Sequence, residues 1–456
     1  MQVVFYKVAF FIALYIILLA SCSKSPVFPN SDIDAFDDSE GKTIKITAIY
    51  YDPLLKKYVD EFNAKNNEYT VEVKAFVEEL PRGTYNFNND VAKLSTEIIA
   101  GNIPDIIVNY NSLLPIQSYV NKGLLADIYE FMESDPNFNK EDYLQSTFTA
   151  AERGGKLYEV FPMFIVHTAY AKSAEVGELN GWSLDDFSEY IATKPTAKYI
   201  IGGFTEEEFI KKMIAHMFTD SQTGGIALNR AELLKLFQVA KRFPSNYDMQ
   251  LDFNSIQLGM SEGDPIMCYN LLHSPRDVRL WEKAYAGEEI TFIGLPQLNS
   301  SNERGEGSSF FADVNFSVMK DAKEKEGAFE FIKFILDRKP DAYDLGIPVK
   351  LSHIDYMLEE AKRNPSNSGG KEYYVSIPLD IAEGTSYDIP VGNNTDEDNA
   401  KFMKFISSVN HIYRYDFIVE TIIGEEIGAY LSGQKTSEQA IDTIENRINL
   451  YISEMS

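Results

Sequence analysis

The apolar positions of this chain change their period several times, and those changes outline its organisation. Val8 to Ala20 is an unbroken apolar run behind a single charge, Lys7. It falls short of the ~20 residues that a bilayer-spanning helix needs. A charged start, a short apolar core and small residues at its end predict an export signal over 1–21. The stretch SKSPVFPNSDIDAFDDSEG (23–41) is polar and acidic and carries two prolines, so 22–42 reads as a flexible tether with nothing to bury. From Thr43 the pattern becomes that of a folded domain. In TIKITAIYY (43–51), Ile44, Ile46 and Ala48 alternate, which predicts a strand. Asp52 and Pro53 supply an N-cap and an N1 proline, and Leu55, Tyr58, Val59 and Phe62 then recur at helical spacing. TVEVKAF (70–76) alternates again. NNDVAKLSTEIIAG (88–101) places Val91, Leu94 and Ile98 on one helical face with Gly101 as the stop. PDIIVNY (104–110) is an apolar run of buried-strand length. Strand, helix, strand, helix, strand predicts an α/β sheet with parallel neighbours.

Further along, EEEFIKKMIAHMF (206–218) and RAELLKLFQVAKRF (230–243) are amphipathic helices. DPIMCYN (264–270), ITFIGLP (290–296) and SFFADVNFSVM (309–319) read as strands, and EKEGAFEFIKFIL (324–336) as a helix. RDVRLWEKAYA, which holds Trp281, reads helical. In the last segment, 436–454, Thr436 and Gln439 form a capping box, and Ala440, Ile444, Ile448 and Tyr451 line one face. SNSGG (366–370) and GNNTDED (392–398) are loops, and no internal repeat is present.

Charge narrows the function. With 69 acidic and 42 basic residues the net charge is −27, which excludes nucleic acid as a partner and gives the body of the protein no attraction to anionic lipid. There are two cysteines, Cys22 and Cys268; with Cys22 modified, Cys268 has no partner in the chain. A chain of this length buries enough surface to fold without disulfides. Enzyme signatures fail on inspection. GMSEG (259–263) spells G-x-S-x-G, but a nucleophile elbow needs a strand before and a helix after, whereas Asp264-Pro265 and a strand follow. The five histidines form neither H-E-x-x-H nor a Cys/His cluster. The Gly-Glu-Gly at 305–307 lacks the Lys-Ser/Thr of a phosphate loop, and NNTDEDNA (393–400) lacks EF-hand spacing. No metal, cofactor or catalytic residue is expected.

Two resemblances go further. LLASC (18–22) resembles the lipobox of bacterial lipoproteins, which implies removal of 1–21 and a diacylglycerol on Cys22. Two acyl chains anchor a protein durably where one binds reversibly. Behind it, seven stretches in order resemble the extracellular (family 1) solute-binding proteins of ABC importers, which include the maltose- and oligosaccharide-binding proteins. They are AGNIPDIIVNY (100–110), NKGLLADIYEFM (121–132), GGKLYEVFPM (154–163), NGWSLDDF (180–187), IGLPQ (293–297), GAFEFIKFIL (327–336) and IGEEIGAYLSGQKTSEQAIDTIENRINLYISE (423–454). YDLGIPVKLSHIDYMLEEAK (343–362) looks like a subgroup of such lipoproteins from low-GC Gram-positive bacteria.

The resemblance implies an α/β, type II periplasmic-binding-protein-like fold: two lobes, each a mixed β-sheet flanked by helices, with a ligand cleft between them. Lobe one would be 43–165 plus 310–340, lobe two 170–308 plus 345–456, with the first crossing near 161–170. It implies a monomer on the outer face of the cytoplasmic membrane that captures an oligosaccharide and delivers it to ABC permease subunits by hinge closure. An exported glycan hydrolase and a sensory receptor of the same fold stay open as alternatives.

Ligands in open α/β sheets bind beyond the carboxyl ends of strands, and the family places contacts there. The expected ligand-binding residues are Tyr50, Asp52, Asn109, Tyr110, Phe164, Tyr269, Asn270, Trp281 and Phe310. Short amides and phenols suit a hydroxylated solute. Asp52 is equally explained as a helix cap, Trp281 as packing for its helix and His167, beside Phe164, as a satisfied core residue. Sugar-binding members often carry a tryptophan near residue 270 that is missing here, and Trp182 stands where the family has a packing residue.

Overall fold

The computed structural model describes residues 42–77, 87–219, 229–246, 257–298, 307–341, 344–365, 370–380 and 385–455. The export signal, Cys22 and all of the tether but Lys42 lie outside them.

Sheet one follows the strand–helix–strand reading. It contains β1 (Lys42–Tyr50), β2 (Tyr69–Val77), β3 (Ile106–Tyr110) and β9 (Val314–Val318) in the order β2-β1-β3-β9. β1 runs parallel to β2 and β3, with Ile46 opposite Ile106, and β9 runs antiparallel to β3, with Val108 opposite Phe316. Helices pack against the sheet, and β3 is buried throughout while β1 is buried from Ile46 to Ile49. The Asp52 carboxylate accepts from the Leu54 amide at 2.7 Å and starts the helix Pro53–Lys65, which buries Leu55, Tyr58, Val59 and Phe62. The helix Lys325–Asp337 lays Phe331 edge-on against Phe62, with ring centroids 5.2 Å apart. Asp105, of the Pro-Asp step, ties strand to helix: one oxygen accepts from the Lys45 amide at 2.8 Å, the other from the Glu324 amide at 2.9 Å.

Sheet two is built around β4 (Met163–Lys172). β6 (Met267–Leu272), β7 (Ile290–Phe292), β8 (Ser309–Phe311) and β10 (Ile347–Pro348) all pair antiparallel with β4, and β5 (Ile201–Gly202) runs parallel to β6. Alternation predicts 309–319 as one strand. It is two, broken at Ala312-Asp313: β8 belongs to sheet two and β9 to sheet one. The chain therefore passes between the sheets there. It does so twice more, before β4, where Val160 bridges Phe316, and before β10, where Pro348 pairs with Met163.

Side chains alternate across β4, and its two faces serve two cores. Phe164, Val166 and Tyr170 join the apolar cluster that continues into sheet one. Ala169 and Ala171 join a second cluster, built from the helices Glu206–Thr219, Arg230–Ala240, Phe417–Leu431 and Ser437–Met455. The Thr436–Gln439 capping box forms as expected: the Gln439 side chain accepts from the Thr436 amide at 2.9 Å, and the Thr436 hydroxyl accepts from the Gln439 amide at 3.3 Å. The stretch around Trp281 is α-helical over Pro275–Leu280 and widens to a π-turn over Trp281–Ala286. β11 (Tyr374–Asp380) and β12 (Thr385–Pro390) form a separate antiparallel pair. No helix among the described residues is long and apolar enough to cross a membrane.

Candidate functional site

The strand ends of sheet one build an aromatic rim. The Tyr50 ring stacks on Tyr110 with centroids 4.2 Å apart and leans on Phe87 at 5.9 Å. Tyr50 is half-buried and Tyr110 lies buried beneath it, its hydroxyl without a hydrogen-bond partner of ordinary geometry. Burial, then the Asp52 carboxylate, pushes both phenols well above their usual range. Asp313, at the bend between β8 and β9, is held above the ordinary carboxyl range by burial, with His273 opposing and Asp52 adding. Past β3, Asn111 and Ser112 take φ of 44° and 56°, the left-handed region that residues other than glycine seldom enter. The Asn111 amide donates to the Asp313 carbonyl at 2.9 Å, which pins this turn to the bend. Backbone held in such a region concentrates at ligand clamps and active sites.

A second aromatic and polar group lies on sheet two. His167 Nδ1 and the Tyr269 hydroxyl share a hydrogen bond of 2.6 Å, and the His167 ring meets Phe311 edge-on at 4.7 Å. The Lys212 ammonium, from the helix Glu206–Thr219, sits 5.6 Å from the Tyr269 ring centre and 5.2 Å from that of Tyr413. His216, one helical turn on, packs its ring 4.9 Å from Tyr413, whose hydroxyl donates to Glu420. His273 lies just past β6, and its amide donates to the Asp277 carboxylate at 2.7 Å.

The remaining sequence-selected positions are drawn into the fold. Asn109 is 2 % exposed; its amide donates to Glu159 at 3.1 Å and its carbonyl accepts from the Leu114 amide at 2.9 Å. Asn270 donates to the Tyr170 hydroxyl at 2.9 Å and accepts from Gln257 at 3.1 Å. Phe164 and Phe310 pack edge-on at 5.4 Å and reach no surface in this conformation. Trp281 stacks flat on Tyr170, 4.8 Å away, in the same buried layer. Trp182 packs as expected and donates its indole N–H to the Gly294 carbonyl at 3.2 Å. Tyr50, Asp52 and Tyr269 keep surface at the strand ends. Sequence reasoning missed Lys212 and Tyr413. Only the aromatic run HIYRYDF (411–417) hinted at the second.

Ser261 of the G-x-S-x-G match stands on a 3₁₀ turn, Gly259–Glu262, and gives its hydroxyl hydrogen to the Leu258 carbonyl at 3.0 Å. A nucleophile elbow has a different geometry.

The histidines make a measurable prediction. Burial, then Lys212 and His411, pushes His216 down to about 3; burial, then Lys212, holds His167 well below the imidazole range. The unfolded chain binds these protons near pH 6.5 while the folded chain does not, so stability falls as pH falls below that value. Each such histidine contributes at most about 1.4 kcal/mol per pH unit. Urea midpoints are expected to drop between pH 7.5 and 5.5, and His216→Asn to shallow the slope. An unchanged slope in the variant refutes the neutral, buried state of His216.

The family model for bacterial extracellular solute-binding proteins matches residues 57–343. No curated protein matches the chain. Among solved structures, a family 1 extracellular solute-binding protein from Alicyclobacillus acidocaldarius is similar, at 14 % identity and a TM-score of 0.54, over 91 % of this chain and 100 % of that one. The sugar-binding protein MalE of Xanthomonas citri aligns at 11 % identity and a TM-score of 0.52, over 91 % and 98 %. A de novo designed cysteine esterase, ECH19, aligns at 13 % identity and a TM-score of 0.53, over 91 % and 99 %. At these identities the likeness is one of fold.

Proposed function

The chain belongs to the bacterial extracellular solute-binding proteins, and from that premise we propose that it is the lipid-anchored receptor of an ABC importer for an oligosaccharide. The fold is the type II periplasmic-binding-protein-like one. In this reading 43–165 plus 310–340 make lobe one, 170–308 plus 345–456 make lobe two, and the segments that pass between the sheets are the hinge. Cys22 carries the lipid that moors a monomer to the outer face of the cytoplasmic membrane. The solute is bound, not converted.

The observation that carries the proposal is the pair of aromatic and polar groups, the stacked Tyr50 and Tyr110 beside Asp52 and Asp313, and His167–Tyr269–Lys212. Flat phenol faces cover the C–H face of a pyranose, and carboxylate, imidazole and hydroxyl groups pair with its hydroxyls. Tyrosine takes the place of the tryptophan that sugar-binding members often use. Closure of two lobes then buries the solute and presents a new outer surface to the permease.

A thermal-shift screen of saccharides against the purified chain tests this. A ligand at 100 times its Kd should stabilise the fold by about 2.7 kcal/mol. Tyr50→Ala is expected to shrink that shift at least tenfold in apparent affinity while leaving the ligand-free melting temperature within a few degrees, because the ring lies on the surface side of Tyr110. A saccharide that is consumed on incubation, or a shift that Tyr50→Ala leaves untouched, contradicts the proposal.

A further inference from the structure

We infer that the cleft contains an anion subsite centred on Lys212, and that the solute is an acidic saccharide whose carboxylate docks there. The inference deepens the saccharide reading above and rests on it.

Lys212 is half-buried, with its ammonium set against the faces of Tyr269 and Tyr413. It makes no ion pair among the described residues. Several other part-buried bases are paired with carboxylates: Lys74 with Glu97 at 2.9 Å, Arg153 with Glu159 at 3.1 Å, Lys333 with Asp135 at 2.6 Å, and Lys401 with Glu282; Arg276 and Arg242 bond backbone carbonyls instead. In a chain with 69 acidic residues against 42 basic ones, a sheltered lysine with no carboxylate in ion-pair contact stands out. Two acids act on it without pairing, and both hydrogen-bond to other groups. Glu420 accepts from the Tyr413 hydroxyl, and Glu208 accepts from the Thr205 amide at 3.0 Å and its hydroxyl at 3.2 Å at the start of Lys212's own helix. The imidazoles beside it are His216 on the same helix and His167 on sheet two; His411 acts on the first and His273, just past β6, on the second.

Burying an ammonium is unfavourable unless it is paired. Two tyrosine faces offset part of that through cation–π attraction. A carboxylate offsets the rest with a charge-assisted hydrogen bond, strengthened by the lower dielectric between the aromatic walls. One ammonium matches a single negative charge, which favours a uronic acid over a doubly charged phosphate monoester. The imidazoles do not make a cation site: among the described residues, no three His, Cys, Asp or Glu side chains are placed to hold a metal ion.

The test uses the full chain in mild detergent and two probe sets. One is a mixture of uronic-acid oligosaccharides from plant and algal polysaccharides; the other is the same mixture after reduction of its carboxyl groups to alcohols. Thermal shift finds the binders and calorimetry gives their Kd. The expected result is that an acidic member binds at least about tenfold tighter than its reduced counterpart, the fold-change of a hydrogen bond to a charged group. Lys212→Met should abolish that preference and Lys212→Arg should keep it. The matched probes on the unaltered chain decide the matter even where a variant folds poorly. A reduced member that binds as tightly as its acidic parent overturns the subsite, as does a preference that survives in Lys212→Met. Neutral saccharides that raise the melting temperature while no acidic one does overturn the subsite and leave the saccharide reading standing. No shift from either set overturns both.

Discussion

Arg338→Leu is expected to destabilise the fold by about 3–5 kcal/mol, the range seen when one member of a buried charge network is removed. The Arg338 side chain is 8 % exposed and uses all three nitrogens: Nε to Glu61 at 3.2 Å, Nη1 to Asp344 at 2.7 Å and Nη2 to Asp341 at 3.0 Å. It also lies 5.3 Å from the Tyr58 ring centre. The Asp344 side chain has no exposed surface, so leucine at 338 strands a carboxylate in the interior. The double variant Arg338→Leu, Asp344→Asn should recover part of the loss, because the stranded charge is gone. Chemical denaturation measures both. A single-variant loss under about 1 kcal/mol would place the network in the class of exposed ion pairs and refute this account.

Gly294→Ala is the second large effect, expected at about 2–4 kcal/mol from a left-handed backbone combined with overpacking. Gly294 has φ of +70°, and a Cβ built on it would lie 2.0 Å from the carbonyl carbon of Gly307. The obstacle is backbone, which has no rotamer to swing aside. It is also held: the Leu295 amide donates to the Gly307 carbonyl at 2.8 Å, and the Trp182 indole donates to the Gly294 carbonyl. Gly433 provides the control, with φ of +76° and nothing within 4 Å of the same built atom. Gly433→Ala should lose only the backbone term, about 1 kcal/mol. Equal melting temperatures for the two variants would show that the close approach of residues 294 and 307 carries no energy.

Much of sheet one was legible because its signals are local. Alternation in β1 and β2, the Asp52-Pro53 start and the face of Leu55, Tyr58, Val59 and Phe62 are each written within a dozen residues. The break of 309–319 was not. Its alternation runs straight through Ala312-Asp313, and only the partners of each half, β4 for one and β3 for the other, separate them. The same non-locality governs the candidate site. Asn109 and Asn270 have the chemistry of ligand-binding amides, but Glu159, Leu114, Tyr170 and Gln257 reach them first, from as far as 100 residues away. Trp281 reads as a stacking platform or as packing until Tyr170 is found flat against it. Lys212 reads as the polar side of an amphipathic helix, and nothing within that helix announces two tyrosines, from 269 and 413, on either hand.

β4 is a shared wall between two rooms. Its even-numbered members fit large rings and branched chains on one side; the alanines at 169 and 171 let helices close in on the other. Inserting or deleting one residue would exchange those sides along the rest of the strand and spoil both interiors in a single step. Changes of length during divergence are therefore expected in the connections and not in this wall.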